Sequence, residues 1–122
     1  VMNSIISGHA IGLRQQQEGP AFSNDYNLVT NAVNYDSVNQ GPHELVDVNP
    51  TLMGPAYGNF HLWVGSPAID AGSDAAAPAL DFEGHARPFD GNGDGAAHAD
   101  IGADEATGFD VTPYYLPLIT RD

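Results

Sequence analysis

Glycine, proline, asparagine or aspartate interrupts nearly every window of this chain, with 14 Gly and 9 Pro among 122 residues. No long run of apolar residues at i, i+3, i+4 spacing survives these breaks, so long helices are not expected. Short strand-like pieces recur instead: "VMNSIIS" at 1–7, "AIGLRQQ" at 10–16, "YNLVTNAV" at 26–33, "HELVDV" at 43–48, "FHLWV" at 60–64 and "PAID" at 67–70. Each carries β-branched or aromatic residues and is bounded by turn formers. Two mainly β architectures accommodate such pieces, a sandwich and a solenoid. Three features favour the solenoid. The pieces are very short. Asn3, Asn24, Asn27, Asn31, Asn34 and Asn49 recur beside them, as in coils whose turns stack amides. No Asn-Gly or Asp-Gly links two of the pieces, so tight hairpins are not signalled. The repeat is irregular, and the stretch holds two or three turns of such a coil.

The charge balance narrows the partners. Arg14, Arg87 and Arg121 stand against 16 acids, for a net charge of −13, and lysine is absent. A phosphate backbone or an anionic membrane surface needs clustered cations, so neither nucleic acid nor anionic lipid is an expected partner. No apolar run reaches the ~18 to 20 residues of a membrane span. The absence of cysteine removes disulfides and thiolate zinc sites, which leaves a secreted chain in need of another staple. An apolar fraction of 42 % is that of a folded domain, and 122 residues suit one core. Val1 in place of Met reads as a processed end or a fragment boundary.

"FDGNGDGAAHADIGADE" at 89–105 carries the sharpest chemical signal. With Asp90 as position one, Asn92, Asp94 and Gly95 give D-x-N-x-D-G, the first half of an EF-hand-type calcium loop. Calcium takes six to eight hard oxygens at roughly 2.3 to 2.6 Å, and alternate residues of a tight loop can turn side-chain oxygens inward. Gly91 and Gly93 let the backbone curl, and the Ala96 carbonyl follows as a further donor. The second half departs: Ile101 stands at position twelve, with Asp100 one place early and Asp104 and Glu105 after it. A metal-free Gly-Asp-Asn turn cluster is the alternative reading. One imidazole, His98, among carboxylates is a poor zinc set, and magnesium demands a stricter octahedron.

"DYNLVTN" at 25–31 and "GPHELVDVNPTLMGPAYGNFHLWVGSPAIDAG" at 41–72, followed by "DFEGHARPFDGNGDGAAHADIGADE" at 81–105, resemble the end of right-handed parallel β-helix proteins of the pectate-lyase-like superfamily. "GSPAIDAG" paired with "DIGADE" carries most of that similarity. The resemblance implies terminal β-helix turns over 1–72, a closing segment over 73–106 that binds calcium, and an apolar C-terminal tail over 107–122. It implies Asp90, Asn92, Asp94 and Asp100 as ligands, with Asp81 or Asp104 completing the set and Glu83 approaching it. It also implies a large secreted or cell-surface bacterial protein. Ile101 is expected to face inward and seal the coil, Asp70 to cap a turn, and Arg87 to clamp a nearby carboxylate.

The superfamily contains polysaccharide lyases and glycoside hydrolases, but this chain marks out no catalytic group. It has no lysine base, no singled-out carboxylate pair and no G-x-S-x-G elbow. His9, His43, His61, His85 and His98 are scattered and read as turn or surface residues. The expected function is therefore a non-catalytic structural one. The rivals are the C-terminal part of a polysaccharide lyase or hydrolase, and a carbohydrate-binding module using Tyr57, Trp63 and Tyr114. Trp63 and Phe60 read first as packing residues. An uncapped first turn and the uncharged "VTPYYLPLIT" at 111–120 suggest head-to-tail self-association into filaments. An extracellular polysaccharide is the other partner class the resemblance implies.

Overall fold

Residues 1–16, 19–20 and 22–107 are described by a computed structural model. The expected tail over 107–122 falls outside these residues except for Thr107.

Upstream of residue 48 the short apolar pieces become strands of two to four residues. They are β1 (Ile5–Ser7), β2 (Ile11–Arg14), β3 (Leu28–Thr30), β4 (Val33–Asp36) and β5 (Leu45–Val46). The piece at 26–33 breaks in two at Asn31 and Ala32, where the chain bends between β3 and β4. Pairing is parallel: β1-β3-β5 form one small sheet, with Ile5 opposite Leu28 and Leu28 opposite Leu45. A second sheet pairs β2 with β4, Leu13 opposite Tyr35. The fold is thus mainly β, built of small open sheets.

Local chemistry repeats with the ladder. Asn3 and Tyr26 occupy the same register, two residues before β1 and β3, and both are left-handed at φ 48 and 53. The Tyr26 ring stacks on that of His43, at 4.4 Å between centroids. Amide side chains stitch neighbouring strand segments together through backbone groups. Asn27 Oδ1 accepts the Ser4 N–H while its Nδ2 donates to Glu44 Oε1, and Asn31 Oδ1 accepts the His9 N–H while its Nδ2 donates to the Ile6 carbonyl. These bonds join side chain to backbone or carboxylate, where the sequence suggested stacked amides. A buried amide beside a turn finds its unsatisfied partners in the backbone of the neighbouring turn.

Two expectations change downstream. β6 (Leu52–Gly54) and β7 (Asn59–Leu62) form an antiparallel hairpin, although no two-residue hairpin turn is encoded. A 3-10 turn at Pro55–Tyr57 makes the connection, and Gly58 at φ 78 donates its N–H to the Pro55 carbonyl. Proline presets the turn and glycine takes the left-handed exit. The piece at 67–70 is a turn rather than a strand. Ser66 Oγ donates to the Pro50 carbonyl and accepts the Ala68 N–H, which curls the chain after Pro67.

The core is small. Leu28, Leu62, Ala68, Ile101 and Ala106 are buried together, with Ile5, Leu45, Leu52 and Ile69 packed around them. Residues from the parallel turns, the hairpin and the 99–106 segment meet here. Full burial of each large aliphatic side chain contributes about 1.5–3 kcal/mol.

Candidate metal centre and the carboxylate network

The closing segment is laid across the preceding turns by backbone bonds. Gly72 N donates to the Ala99 carbonyl, Ile101 N to Ala68, Gly102 N to Asn3 and Phe82 N to Ala103, at 2.7–3.1 Å. Gly72 has no side chain because a Cβ there would lie 2.7 Å from the Ala99 carbonyl oxygen. Ile101 is fully enclosed in the core.

Four carboxylates are buried in this region: Asp81, Asp100, Asp104 and Glu105. Each accepts backbone N–H groups, most of them from stretches outside the strands, and in the case of Asp104 from the last residue of β7. Asp81 takes those of Glu83, His85 and Glu105. Asp100 takes those of Asp70 and Ala106. Asp104 takes that of Leu62, and Glu105 takes those of Phe89 and Asp100. Arg87 Nε lies 3.2 Å from Glu105 Oε2, with both side chains almost completely enclosed, and its Nη2 donates to the Gly102 carbonyl. Its ion pair is thus made with Glu105, across the closing segment, and not with an acid next to it in sequence.

Burial and amide donors pull these acids in opposite directions. Burial dominates at Asp100 and, with the Glu105 and Asp70 charges, pushes its carboxyl up to about 7 against the amide bonds. Burial likewise raises Glu105, offset in part by amide donors and Arg87. Burial also acts to raise Asp81, but the N–H donors of Glu105, His85 and Glu83 and the His85 ring outweigh it and hold the carboxyl low.

The 90–96 loop has a different character: it is exposed and locally bonded. Asp90 accepts the N–H groups of Gly93, Asp94 and Gly95; Asn92 Oδ1 accepts that of Asp94, and Asp94 Oδ1 that of Ala96. Gly93 and Gly95 are left-handed at φ 77 and 94. Asp70, itself at φ 54, fastens both ends of the loop by accepting the N–H groups of Asn92 and His98. Asp74 accepts the Ala99 N–H and contacts His98 Nδ1, and these hydrogen bonds lower its pKa while raising that of His98. The hard-oxygen donors of the loop suit calcium in kind. Of the other expected ligands, Asp81 accepts the N–H of Glu83, Asp100 that of Asp70 and Asp104 that of Leu62.

A second grouping was not visible in the sequence. His61, Glu83 and Asp104 bring one ligating atom each to within 4.8 Å of one another. His61 had read as a turn or surface residue, yet its side chain is only 14 % exposed. Its place between Phe60 and Leu62 in a strand-like piece was the one available signal. The three residues come from β7, the turn at 81–85 and the closing segment, so no spacing rule connects them.

No protein-family model matches the chain, and no curated protein or solved structure shows significant similarity to it.

Proposed function

We propose that this chain is the closing end of a right-handed parallel β-helix in a secreted or cell-surface protein, with a structural and non-catalytic role. The observation that carries the reading is the combination of parallel turns with a segment fastened over them. Hydrogen-bonded partners recur 23, 22 and 17 residues apart along the turns, as stacked coils of a solenoid require. The 99–106 segment then lies over those turns, with Ile101 in the core and Gly102 bonded to Asn3. A solenoid exposes apolar surface and unpaired backbone at its ends. This segment covers part of both beside the first strand, where Gly102 N donates to the Asn3 carbonyl and Ile5 packs against the core that holds Ile101.

The test is truncation. The full chain is expected to unfold in one cooperative transition. A chain ending at residue 80 is expected to lose that transition and to be cut rapidly by protease within 1–54. Unchanged melting of the truncated chain would sink the proposal.

Calcium in the 90–96 loop is part of the proposed staple, held by Asp90, Asn92, Asp94 and the Ala96 carbonyl, with water completing the shell. Saturating calcium would then raise stability by about 3–4 kcal/mol at 100 to 1,000 times its dissociation constant. A melting temperature unmoved by calcium or by chelator rejects this part alone. Self-association through the first turn is a further element, and sedimentation at rising concentration checks it.

A second reading, polysaccharide binding, draws on exposed aromatics. Tyr57 is 94 % and Phe60 60 % exposed, and Phe60 lines an open groove with Pro55, Thr51 and Asp47. Aromatic faces in such a place suit sugar rings. Glycan retention that is lost in Phe60→Ala would favour it.

A further inference from the structure

We propose that His61, Glu83 and Asp104 form a binding site for a divalent transition ion of the zinc class, separate from the 90–96 loop.

The imidazole is held in one orientation. Asn59 Oδ1 accepts both the His61 backbone N–H, at 3.2 Å, and its Nδ1–H, at 2.7 Å. The Phe82 ring packs against the imidazole, at 5.4 Å between centroids. With Nδ1–H committed to an amide oxygen, Nε2 is the atom turned toward the acids, and it lies 3.0 Å from Glu83 Oε1. A bare nitrogen lone pair and a carboxylate oxygen repel at that distance, so a positive species has to lie between them. A proton or a metal ion satisfies this requirement. The third member favours the metal: an oxygen of the buried Asp104 carboxylate lies within 4.8 Å of the other two ligating atoms. One proton can serve a single His–Glu contact, whereas two carboxylates and an imidazole gathered within that distance match a metal with three protein ligands. The Nδ1–H bond to Asn59 is the outer-shell support that metal-bound histidines ordinarily have.

The donor set selects the ion. An imidazole nitrogen with two carboxylates suits zinc, cobalt or nickel and is foreign to calcium, which takes oxygen. Zinc bonds of about 2.0–2.2 Å place ligand atoms roughly 3.3 Å apart in a tetrahedron. A spread of up to 4.8 Å therefore contracts modestly on binding. Glu83, 35 % exposed, has the freedom to make that movement and leaves the fourth position to water. The ion would tie the β6–β7 hairpin, the 81–85 turn and the closing segment at a single point, next to the Asp104 bond to the Leu62 N–H.

The experiment titrates zinc, and separately cobalt, into the full chain after chelator treatment, with calorimetry and thermal melting as readouts. One zinc per chain is expected, with a higher melting temperature and a visible cobalt absorption of tetrahedral type. Glu83→Gln, on the exposed side, is expected to keep the wild-type circular dichroism and lose zinc affinity by more than ~10-fold; Asn59→Ala is expected to lose about 10-fold. His98→Gln and a double Asp90→Asn, Asp94→Asn variant are expected to bind zinc as the wild type does. No zinc binding, which leaves a His61–Glu83 contact only, overturns the proposal. So does zinc binding that survives Glu83→Gln and His61→Gln or disappears in His98→Gln. Calcium response and the truncation experiment read out independently of this site.

Discussion

Among the described residues, two arginine–carboxylate pairs, Arg14–Asp36 and Arg87–Glu105, differ in every respect that matters for energy. Arg14 Nε sits 2.6 Å from Asp36 Oδ2 across the parallel pairing of β2 and β4, with side chains 45 % and 37 % exposed. Arg87 lies farther from its partner, at 3.2 Å from Glu105, but the two side chains are 2 % and 0 % exposed. The first pair decorates a ladder that backbone pairing already holds. The second stands in a region without a ladder, where carboxylates accept the N–H groups that a sheet would have satisfied. Distance alone would rank the exposed pair higher. Desolvation reverses the ranking, because removing one partner of an enclosed pair leaves a buried charge.

The largest expected effect follows directly. Arg87→Met should destabilise the chain by about 3–5 kcal/mol, as breaking a buried pair does. It leaves Glu105 without its cation and the Gly102 carbonyl without its guanidinium donor. Chemical denaturation of the two proteins measures it. A double variant, Arg87→Met with Glu105→Gln, is expected to recover part of the loss, since no bare charge is then enclosed. If the single variant loses less than ~1 kcal/mol, the closing segment is not held in the way the burial implies.

The closing segment should also impose the pH dependence. Asp100 is raised in the folded state from its ordinary 3.8 to about 7. The native protein therefore binds the Asp100 proton more tightly than the unfolded chain does. Its favourable contribution is complete below the unfolded value and is lost as pH rises through about 7. Glu105, also raised, acts in the same direction. Asp81 and Asp74 are lowered, so theirs is present above the unfolded value and is lost as pH falls through their folded values. Stability is thus expected to peak in mildly acidic solution, at about pH 4–5, and to decline toward pH 8 by an amount on the order of a few kcal/mol. Asp100→Asn should flatten the decline, at the cost of an acceptor for the Asp70 or Ala106 N–H. Melting curves from pH 3 to 8 test both, and a maximum above pH 7 would contradict the assignment.

A smaller effect probes the contact between the regions. Gly72→Ala places a Cβ 2.7 Å from the Ala99 carbonyl oxygen and 2.9 Å from the Asp100 carbonyl oxygen, with Asn3 Oδ1 at 3.1 Å. Overpacking of this kind costs about 1–3 kcal/mol. Amide exchange at Gly72 and Ile101, whose N–H groups bond across the junction, should quicken before exchange in β3 does.

The same division explains what the sequence revealed. Strand pieces such as "SIIS" and "NLVT" announce themselves, because β-branched residues between turn formers have few other uses. Their brevity and the missing hairpin dipeptides pointed to stacking, and β1, β3 and β5 do pair in parallel. The β6–β7 hairpin escaped because its reversal uses a proline-led 3-10 turn in place of a two-residue loop. In the closing segment the spacing of Asp90, Asn92 and Asp94 was plain, but the partners of Asp81, Asp100, Asp104 and Glu105 were not. Carboxylates accepting N–H groups at separations from 2 to 42 residues leave no periodic trace. His61 and Glu83 meet for the same tertiary reason. Their types carry the chemistry, while their proximity exists only once the hairpin and the closing segment are in place.

The smallest effect completes the contrast of the two pairs. Arg14→Met removes a short ion pair, yet water already solvates both partners, and Asp36 keeps its hydration when the guanidinium is gone. Exposed pairs of this kind contribute about 0.2–1 kcal/mol, and salt screens most of that. The parallel bonds on either side, such as Gln15 N to the Asp36 carbonyl, do not involve the side chains. Arg14→Met is therefore expected to shift stability by less than ~1 kcal/mol in low salt, and by less still in high salt. The Arg87→Met loss should hardly respond to salt, because the ions cannot reach the enclosed pair. Denaturation of both variants at two ionic strengths separates the cases. If Arg14→Met proves as damaging as Arg87→Met, pair distance rather than enclosure governs this protein, and the division between a backbone-held half and a carboxylate-held half fails.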